Sequence, residues 1–586
     1  MLSITQFGNT SVNLHLHPPV FHLYITKKSM TQSDEFEVDT SLTPKQRLEE
    51  YIRSNSEFRL VHCTECVVDC INSSDPDEFN YLNSVLMGYI QELLEHEIPT
   101  VSDSMLLMLP DFVDTLYKYF SEEAETILSL KILPLMHSVI DKESEQFAES
   151  YAALIIKLRN ETFIMFEVPF LKQLVSDHEP FRRLTVATVI GYLIEYISPS
   201  IWWNDLMDLL SKLTTDLDEE IRSMVPPLVA LYCQKTNVPK EKAQLSGKFS
   251  LYCRDSSIIV RRAAAESIVA LSEALDLTSK LITVSPAVNT LLADPSDIVR
   301  DVTTKNLGPL ISSLGKITTP ILIAKYCTAL SSQDVNVAFS AAFSFSAVSL
   351  ALGSSRFHEI KSAFDNAAGS REYRIRRTLS YSFVKYAHFF TKEEVLDIAI
   401  NFLKDHSMVA IGILSNLHEI LKIVDKGEPF YKYIKAPRIY KEWRMRYQIA
   451  QQIRYCKEFF KRSKLIKIAY HLIQDSIWKV RKEAAISYAE LMIVDDIPNL
   501  ESLSQSMEYY KRAIVGDVIS QTKIGSWENY GFLKNLYDDP VPNVRVTAAK
   551  AIASLFKTKD HSIANIVDKL KTDPDLDVRQ AILSYK

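Results

Sequence analysis

One short motif recurs along most of this chain and limits what it can fold into. A segment that reads as a helix ends, a short acidic turn follows, and a hydrophobic-Arg pair opens a second, Ala-rich helix. The clearest copies are Asp255-Ser-Ser-Ile-Ile-Val-Arg-Arg-Ala-Ala-Ala, Asp294-Pro-Ser-Asp-Ile-Val-Arg-Asp, Asp475-Ser-Ile-Trp-Lys-Val-Arg-Lys-Glu-Ala-Ala, Asp539-Pro-Val-Pro-Asn-Val-Arg-Val-Thr-Ala-Ala and Asp573-Pro-Asp-Leu-Asp-Val-Arg-Gln-Ala. With weaker copies included, the arginine or its equivalent falls at Arg182, Arg222, Arg261, Arg300, Ala338, Arg376, Ala410, Arg446, Arg481, Arg512, Arg545 and Arg579. Successive spacings lie between 40 and 31 residues, a period that belongs to arrays of two-helix repeats. Three fainter units precede Arg182, with second helices expected near Asn80, Leu106 and Ala148, which brings the total to about fifteen.

The motif has a local physical reading. An Asp in the turn accepts from free N–H groups at the start of the second helix and suits its positive dipole end. Pro295, Pro540 and Pro574 fix φ in the turn. The Val or Ile before the arginine points into the core of its helix pair. Each arginine is expected to reach across to the Asp of the next repeat, giving a ladder along one edge. No unit can bury its apolar face alone, so stability comes from stacking.

Composition agrees with a long helical array. At 586 residues the chain exceeds a single hydrophobic core. Glycine is scarce, 13 residues, or about 2% against about 7% in average usage, so tight hairpins and Gly-rich phosphate loops are not expected. A net charge of −7 gives no reason to expect a nucleic-acid partner. Seven scattered cysteines read as reduced thiols rather than a disulfide frame. No window is expected to be apolar enough for a membrane span, and no secretory signal is expected at the start. Residues 1–59 read as an N-terminal extension, flexible from Met1 to Ser41. It carries one short helix from Pro44 to Asn55, capped by Thr43 with Pro at its first position. Met30 opens an acidic stretch and is a second candidate start.

Three groups could suggest chemistry. Cys63, Cys66 and Cys70 share one helical face, but a zinc site commonly needs a fourth ligand and separated pairs, so core packing is the better reading. Four His-Glu pairs start at His96, His178, His358 and His418. They occupy unlike positions in their repeats, whereas a di-iron centre of the deoxyhypusine hydroxylase kind needs equivalent ones. The aromatics Phe430, Tyr431, Tyr433, Tyr440, Trp443, Tyr447 and Tyr455, among cations between residues 430 and 463, read as a connector plus one repeat. No cofactor, metal or catalytic residue is therefore expected. The turns of the last third are more informative. They carry Trp443-Arg444, Ile477-Trp478-Lys479, Tyr509-Tyr510-Lys511, Val541-Pro542-Asn543 and Leu576-Asp577. Large apolar groups at exposed turns suit interface anchors.

These turns carry a resemblance. The chain looks like the scaffold (A) subunit of type 2A serine/threonine protein phosphatase, a HEAT-repeat family. The resemblance covers nearly all of residues 60–586 and is most specific in Val260-Arg-Arg-Ala-Ala-Ala, Ile413-Leu-Ser-Asn-Leu, Trp443-Arg-Met-Arg, Asp539-Pro-Val-Pro-Asn-Val-Arg and Asp573-Pro-Asp-Leu-Asp-Val. It implies an all-α fold, an α-α superhelix or curved solenoid of about fifteen HEAT repeats, and a cytoplasmic non-enzyme with the nucleus as a second compartment. Residues 60–425 would hold repeats 1–10 on the side of a variable regulatory B-type subunit, and residues 426–586 repeats 11–15 on the side of the phosphatase catalytic subunit. The resemblance puts the catalytic-subunit site at Trp443, Arg444, Ile477, Trp478, Tyr509, Tyr510, Val541, Asn543 and Leu576. It puts the regulatory-subunit ridge at Phe181, Arg182, Asp218, Glu219, Ile258, Arg262 and Asp297. The chain departs from the family at Ser296-Asp297-Ile298, where a Trp-Arg turn is usual, and at Ala338 and Ala410. The alternative is an importin-like or other HEAT-repeat adaptor for protein cargo. That reading calls for acidic side chains with Trp and Asn, whereas the aromatics here sit beside Lys and Arg.

Overall fold

The computed structural model describes residues 41–142, 146–435, 441–524, 527–556 and 564–583. The stretch from Met1 to Thr40, read above as flexible, lies outside them. Among the described residues every element is a helix and no strand occurs. The chain divides into two compact units, one ending at Thr319 and one beginning at Pro320. The division does not fall at residue 425, where the resemblance places its change of partner.

Both units are built on one plan. Short outer helices alternate with inner helices, and each inner helix packs on the next inner helix of its unit. In the first unit the inner helices are Glu57–Asp69, Pro99–Tyr119, Phe147–Ile155, Pro180–Tyr196, Glu219–Lys235, Ile258–Ala274 and Asp297–Lys305. In the second they are Val335–Leu352, Tyr373–Tyr386, Ser407–Leu414, Trp443–Gln452, Trp478–Leu491, Tyr509–Gln521, Pro542–Phe556 and Leu576–Leu583. Small residues let them approach closely. A Cβ on Gly516 would lie 2.4 Å from the Thr547 carbonyl carbon, and one on Gly412 2.4 Å from Ser380 Oγ. Ala264, Ala484 and Ala548 are fully buried at similar contacts.

The expected first helix forms as Pro44–Tyr51 and ends sooner than Asn55. Thr43 Oγ1 accepts from Gln46 N at 3.3 Å and Gln46 Oε1 accepts from Thr43 N at 3.0 Å, satisfying two donors at once. This helix packs on Glu57–Asp69, so the boundary at residue 59 falls within the first helix pair. The inner helix expected near Asn80 is corrected: Asn80 lies in the outer helix Pro76–Tyr81, and the inner helix of the first pair is Glu57–Asp69. Its buried side is Leu60, Cys63, Thr64, Cys66 and Val67, so the cysteine row is core, as the spacing suggested. Burial pushes the thiols of Cys63 and Cys70 up to about 12 and that of Cys66 to about 11.

One expectation fails. Val335–Leu352 runs for 18 residues without a charged side chain at mean hydropathy 1.7, and by length and composition could cross a membrane. The reading that no window is apolar enough passed over it, because Ser and Ala break up its large apolar residues. In this fold Ala338, Ala342, Phe345 and Val348 pack inward, while Phe339, Phe343 and Leu350 remain exposed.

Candidate functional site

The ladder expected from the sequence is present, and its geometry is specific. Arg261 Nη1 donates to two carbonyls of its own turn, Asp255 O at 2.9 Å and Ser256 O at 3.1 Å. This fixes the guanidinium, whose Nε and Nη2 then fork onto Asp294 Oδ2 and Oδ1 of the next turn at 2.7 and 3.2 Å. Asp294 Oδ1 also accepts from Ser296 N at 2.8 Å. The same fork joins Arg183 to Asp216, Arg222 to Asp255, Arg376 to Asp405, Arg446 to Asp475, Arg512 to Asp539 and Arg545 to Asp573. A planar fork on a carboxylate fixes orientation as well as distance, so each rung sets how one turn faces the next.

Electrostatics follow from this geometry. Burial alone would raise the Asp294 carboxyl, but the Arg261 fork and the Ser296 N–H outweigh it and hold the carboxyl below its usual value. Asp216, Asp255, Asp405, Asp539 and Asp573 behave alike, each with its own arginine. In return the carboxylates raise Arg222, Arg512 and Arg545.

Three details of the sequence reading change. The rung residue of its repeat is Arg183, not Arg182: Arg183 makes the fork to Asp216 at 2.7 and 3.0 Å. Arg182 instead pairs with Asp177 at 2.7 Å and with Asp141. The arginine sits six residues after the first residue of its turn, as from Asp255 to Arg261, so the position equivalent to it after Asp405 is Ile411 rather than Ala410. Finally, the turn Asp does not cap the helix itself. It accepts from the residue two positions on, such as Ile477 N on Asp475 at 2.8 Å and Val541 N on Asp539 at 2.9 Å. The helix receives a cap of its own where a side chain allows, as Asp218 Oδ1 does from Glu220 N at 2.8 Å.

With the turns fixed, the side chains between Asp and Arg project from them. In the second unit Trp478 is 58% exposed and Leu576 57%. Arg444 and Tyr509 are exposed, and Trp443, Ile477, Tyr510 and Val541 are half-buried, while Pro542 and Asn543 lie open. The aromatics have cationic neighbours: Arg444 lies 4.8 Å from the Trp443 ring, Lys482 5.5 Å from Trp478 and Arg481 4.6 Å from Tyr510. Sequence reading missed Met507, which is 96% exposed at the tip of the same row. The signal was there: Met stands at a turn position held by Ser476, Pro540 and Pro574 in neighbouring repeats.

The first unit presents a different row. Leu217, also missed, is 97% exposed, and Ile258, Ile259 and Ile298 are open as well. Phe181 is half-buried. Among the polar residues named from the sequence, Glu219 is exposed, Arg262 pairs with Glu266 at 2.8 Å, and Asp297 pairs with Arg300 of its own turn. The most exposed apolar groups of this row, Leu217, Ile258 and Ile298, are aliphatic, whereas those of the second unit include Trp478 and Tyr509.

The His-Glu pairs stay apart in character. His178 is exposed beside Asp177 and Glu179, whereas His418 packs near Tyr455. Among the described residues no three His, Cys, Asp or Glu side chains are arranged to hold a metal ion.

Comparison with known proteins fits the plan of the chain. No protein-family model matches. The human serine/threonine-protein phosphatase 4 regulatory subunit 1 is 24% identical over 265 residues, covering 40% of this chain and 28% of that protein. Its rat counterpart is 23% identical with the same coverage. The chain therefore matches little more than a quarter of the length of these relatives. Among solved structures, Kap95p in complex with RanGDP superposes with a TM-score of 0.57 at 11% identity, covering 93% of this chain and 77% of that one. The Kap95:Nup1 complex gives 0.55 at 11%, with 92% and 77% covered. The chain is an all-α HEAT-repeat solenoid, similar in fold to a karyopherin and over part of its sequence to a phosphatase regulatory subunit.

Proposed function

We propose that this chain is a non-catalytic scaffold for a serine/threonine protein phosphatase. The catalytic subunit docks on the second-unit turns through Trp443, Arg444, Ile477, Trp478, Tyr509, Tyr510, Val541, Asn543 and Leu576. A variable regulatory subunit of the B type docks on the first-unit turns around Phe181, Arg182, Asp218, Glu219, Ile258, Arg262 and Asp297. The observation that carries this reading is the row of exposed aromatic turns held in fixed orientation by buried rungs. Rigid, amphipathic aromatics presented on a fixed frame are what interface anchors require. The partial likeness to phosphatase 4 regulatory subunit 1 supports a phosphatase as the partner, and the turn motifs resemble the type 2A scaffold. The mechanism is geometric: holding two subunits on one array raises their effective concentration and orients substrate at the catalytic centre.

The test is capture of purified type 2A and phosphatase 4 catalytic subunits by the full chain, wild type against Trp443→Ala/Trp478→Ala. Retention by wild type and loss in the double variant supports the reading. Unchanged retention in the variant removes this surface from it. The likeness to Kap95p is one of fold, and Arg444, Lys479 and Lys482 beside the aromatics oppose capture of basic cargo.

A further inference from the structure

Two rungs of the ladder are missing as whole pairs. Ala338 stands where an arginine would be, and the turn that it would reach opens with Ser370 instead of Asp. Ile411 stands in another such place, and six residues before the next ladder arginine, Arg446, the sequence has Tyr440 in place of Asp. Arg300, where the sequence offers Ser332 in place of the next Asp, closes on Asp297 of its own turn. Arg481 differs from all three. The arginine is present, but the next turn opens with Ser506.

Arg481 is nevertheless held as the other rung arginines are. Its Nη1 donates to Asp475 O at 2.6 Å and Ser476 O at 2.9 Å, the same two anchors that aim Arg261, Arg512 and Arg545 at their carboxylates. Its guanidinium carbon lies 4.6 Å from the centre of the Tyr510 ring. Nε and Nη2 make no hydrogen bond among the described residues, and neither is sealed from solvent. The Ser506 hydroxyl is turned to its own segment, accepting from Glu508 N at 3.3 Å. Of the neighbouring anions, Asp475 is taken by the Arg446 fork, Glu508 pairs with Lys511, and burial holds the Asp517 carboxyl above its usual value near Lys550, Lys482 and Arg481, with no hydrogen bond to the Arg481 fork. Partial desolvation pulls Arg481 below its usual value, outweighing the upward pull of Tyr510, Asp475 and Asp517, whereas the forked carboxylates raise Arg512 and Arg545.

We propose that the Arg481 fork receives a carboxylate from the partner protein: an Asp or Glu side chain of the docked catalytic subunit completes the rung that this chain leaves open. The inference rests on the reading of the second-unit turns as the catalytic-subunit surface. Trp478, Met507 and Tyr509, exposed on the two turns that flank the fork, shield that ion pair from water on docking. An ion pair strengthens as water leaves it, and the prepaid anchoring of Arg481 by two carbonyls reduces the ordering that binding requires.

The experiment fills the rung from within. Ser506→Asp supplies the missing carboxylate in the same position that Asp475 and Asp539 hold on their turns. Binding of the full chain to each purified catalytic subunit is measured for wild type, Ser506→Asp, Ser506→Ala, Arg481→Ala, the Ser506→Asp/Arg481→Ala double variant and Trp478→Ala. Ser506→Asp is expected to raise the thermal midpoint and to weaken binding about tenfold or more, as Arg481→Ala does. Ser506→Ala should bind like wild type, and Ser506→Asp should add no further loss once Arg481 is gone. If Trp478→Ala weakens binding while Ser506→Asp and Arg481→Ala leave it unchanged, the carboxylate receptor is overturned and the surface stands. An equal loss from Ser506→Asp with and without Arg481 also overturns it, because the effect is then general repulsion. If wild type retains neither catalytic subunit, the reading of the surface fails and this inference fails with it.

Discussion

The turns between Asp177 and Arg300 and those between Trp443 and Arg579 share a frame and differ in what they carry. Both use an arginine pinned to its own turn and forked onto the next Asp, with nearly the same distances at Arg222 and Arg545. On that frame the first unit displays Leu217, Ile258 and Ile298 with Asp218, Glu219 and Asp297. The second displays Trp443, Trp478, Tyr509 and Leu576 with Arg444, Lys479 and Lys482. The frame residues are buried and answer to each other. The displayed residues make only contacts local to their own turns and helices, such as Asp297 with Arg300 and Arg444 with Trp443, so they are free to differ between units. The contrast separates side chains that hold the array from side chains that face a partner.

The largest effect should come from breaking the frame, and it should be alike in both units. Arg261→Ala leaves Asp294 buried without its cation, and Arg512→Ala does the same to Asp539. Each should cost about 3–5 kcal/mol of local stability, read as faster amide exchange across the two turns concerned. A large loss in one unit and none in the other would break the claim of a shared frame.

Breaking the display should divide the units. Trp443→Ala/Trp478→Ala should cost roughly 2 kcal/mol or more in affinity for the catalytic subunit, with amide exchange in the array unchanged. Leu217→Ala/Ile258→Ala should leave that affinity as it is. Equal losses from both pairs, measured by titration calorimetry, would show that the units do not divide their partners.

Acid should weaken both units together. The rung carboxyls are held below their usual value in the folded chain. Their contribution is complete above the unfolded-state value of about 3.9 and is lost as pH falls through the lower folded-state values. Helical circular dichroism during denaturant titration should therefore show a midpoint that is steady from pH 7 to pH 5 and drops below about pH 4. The smallest effect belongs to exposed charge. Glu219→Lys/Asp297→Lys should change stability by only about 0.2–1 kcal/mol and appear instead in the salt dependence of regulatory-subunit binding.

Much of this was legible from residue order. Asp255, Arg261 and Asp294 predict a rung because their spacing repeats, and Thr43-Pro44 predicts a capped helix because capping is local. Arg182 was mistaken for Arg183 because two arginines adjoin, and only the six-residue distance from Asp177 distinguishes them. The first helix pair was missed because Glu57–Asp69 lacks the Asp-Arg signature and shows its inner face only as a row of cysteines. Val335–Leu352 was passed over because its apolar residues are diluted by Ser and Ala.

The sequence alone determined the helical repeat, its period and the pairing partners of most rungs, since each depends on contacts that recur at fixed separations. Only the tertiary structure decided which turn residues stand open, because exposure depends on the neighbouring turn. Met507 and Tyr509 lie bare while Val541 and Ile477 tuck in. The structure also showed that Arg481 is aimed like its fellows yet has no carboxylate on its fork among the described residues, a fact that rests on two carbonyls and the next turn being read together in space.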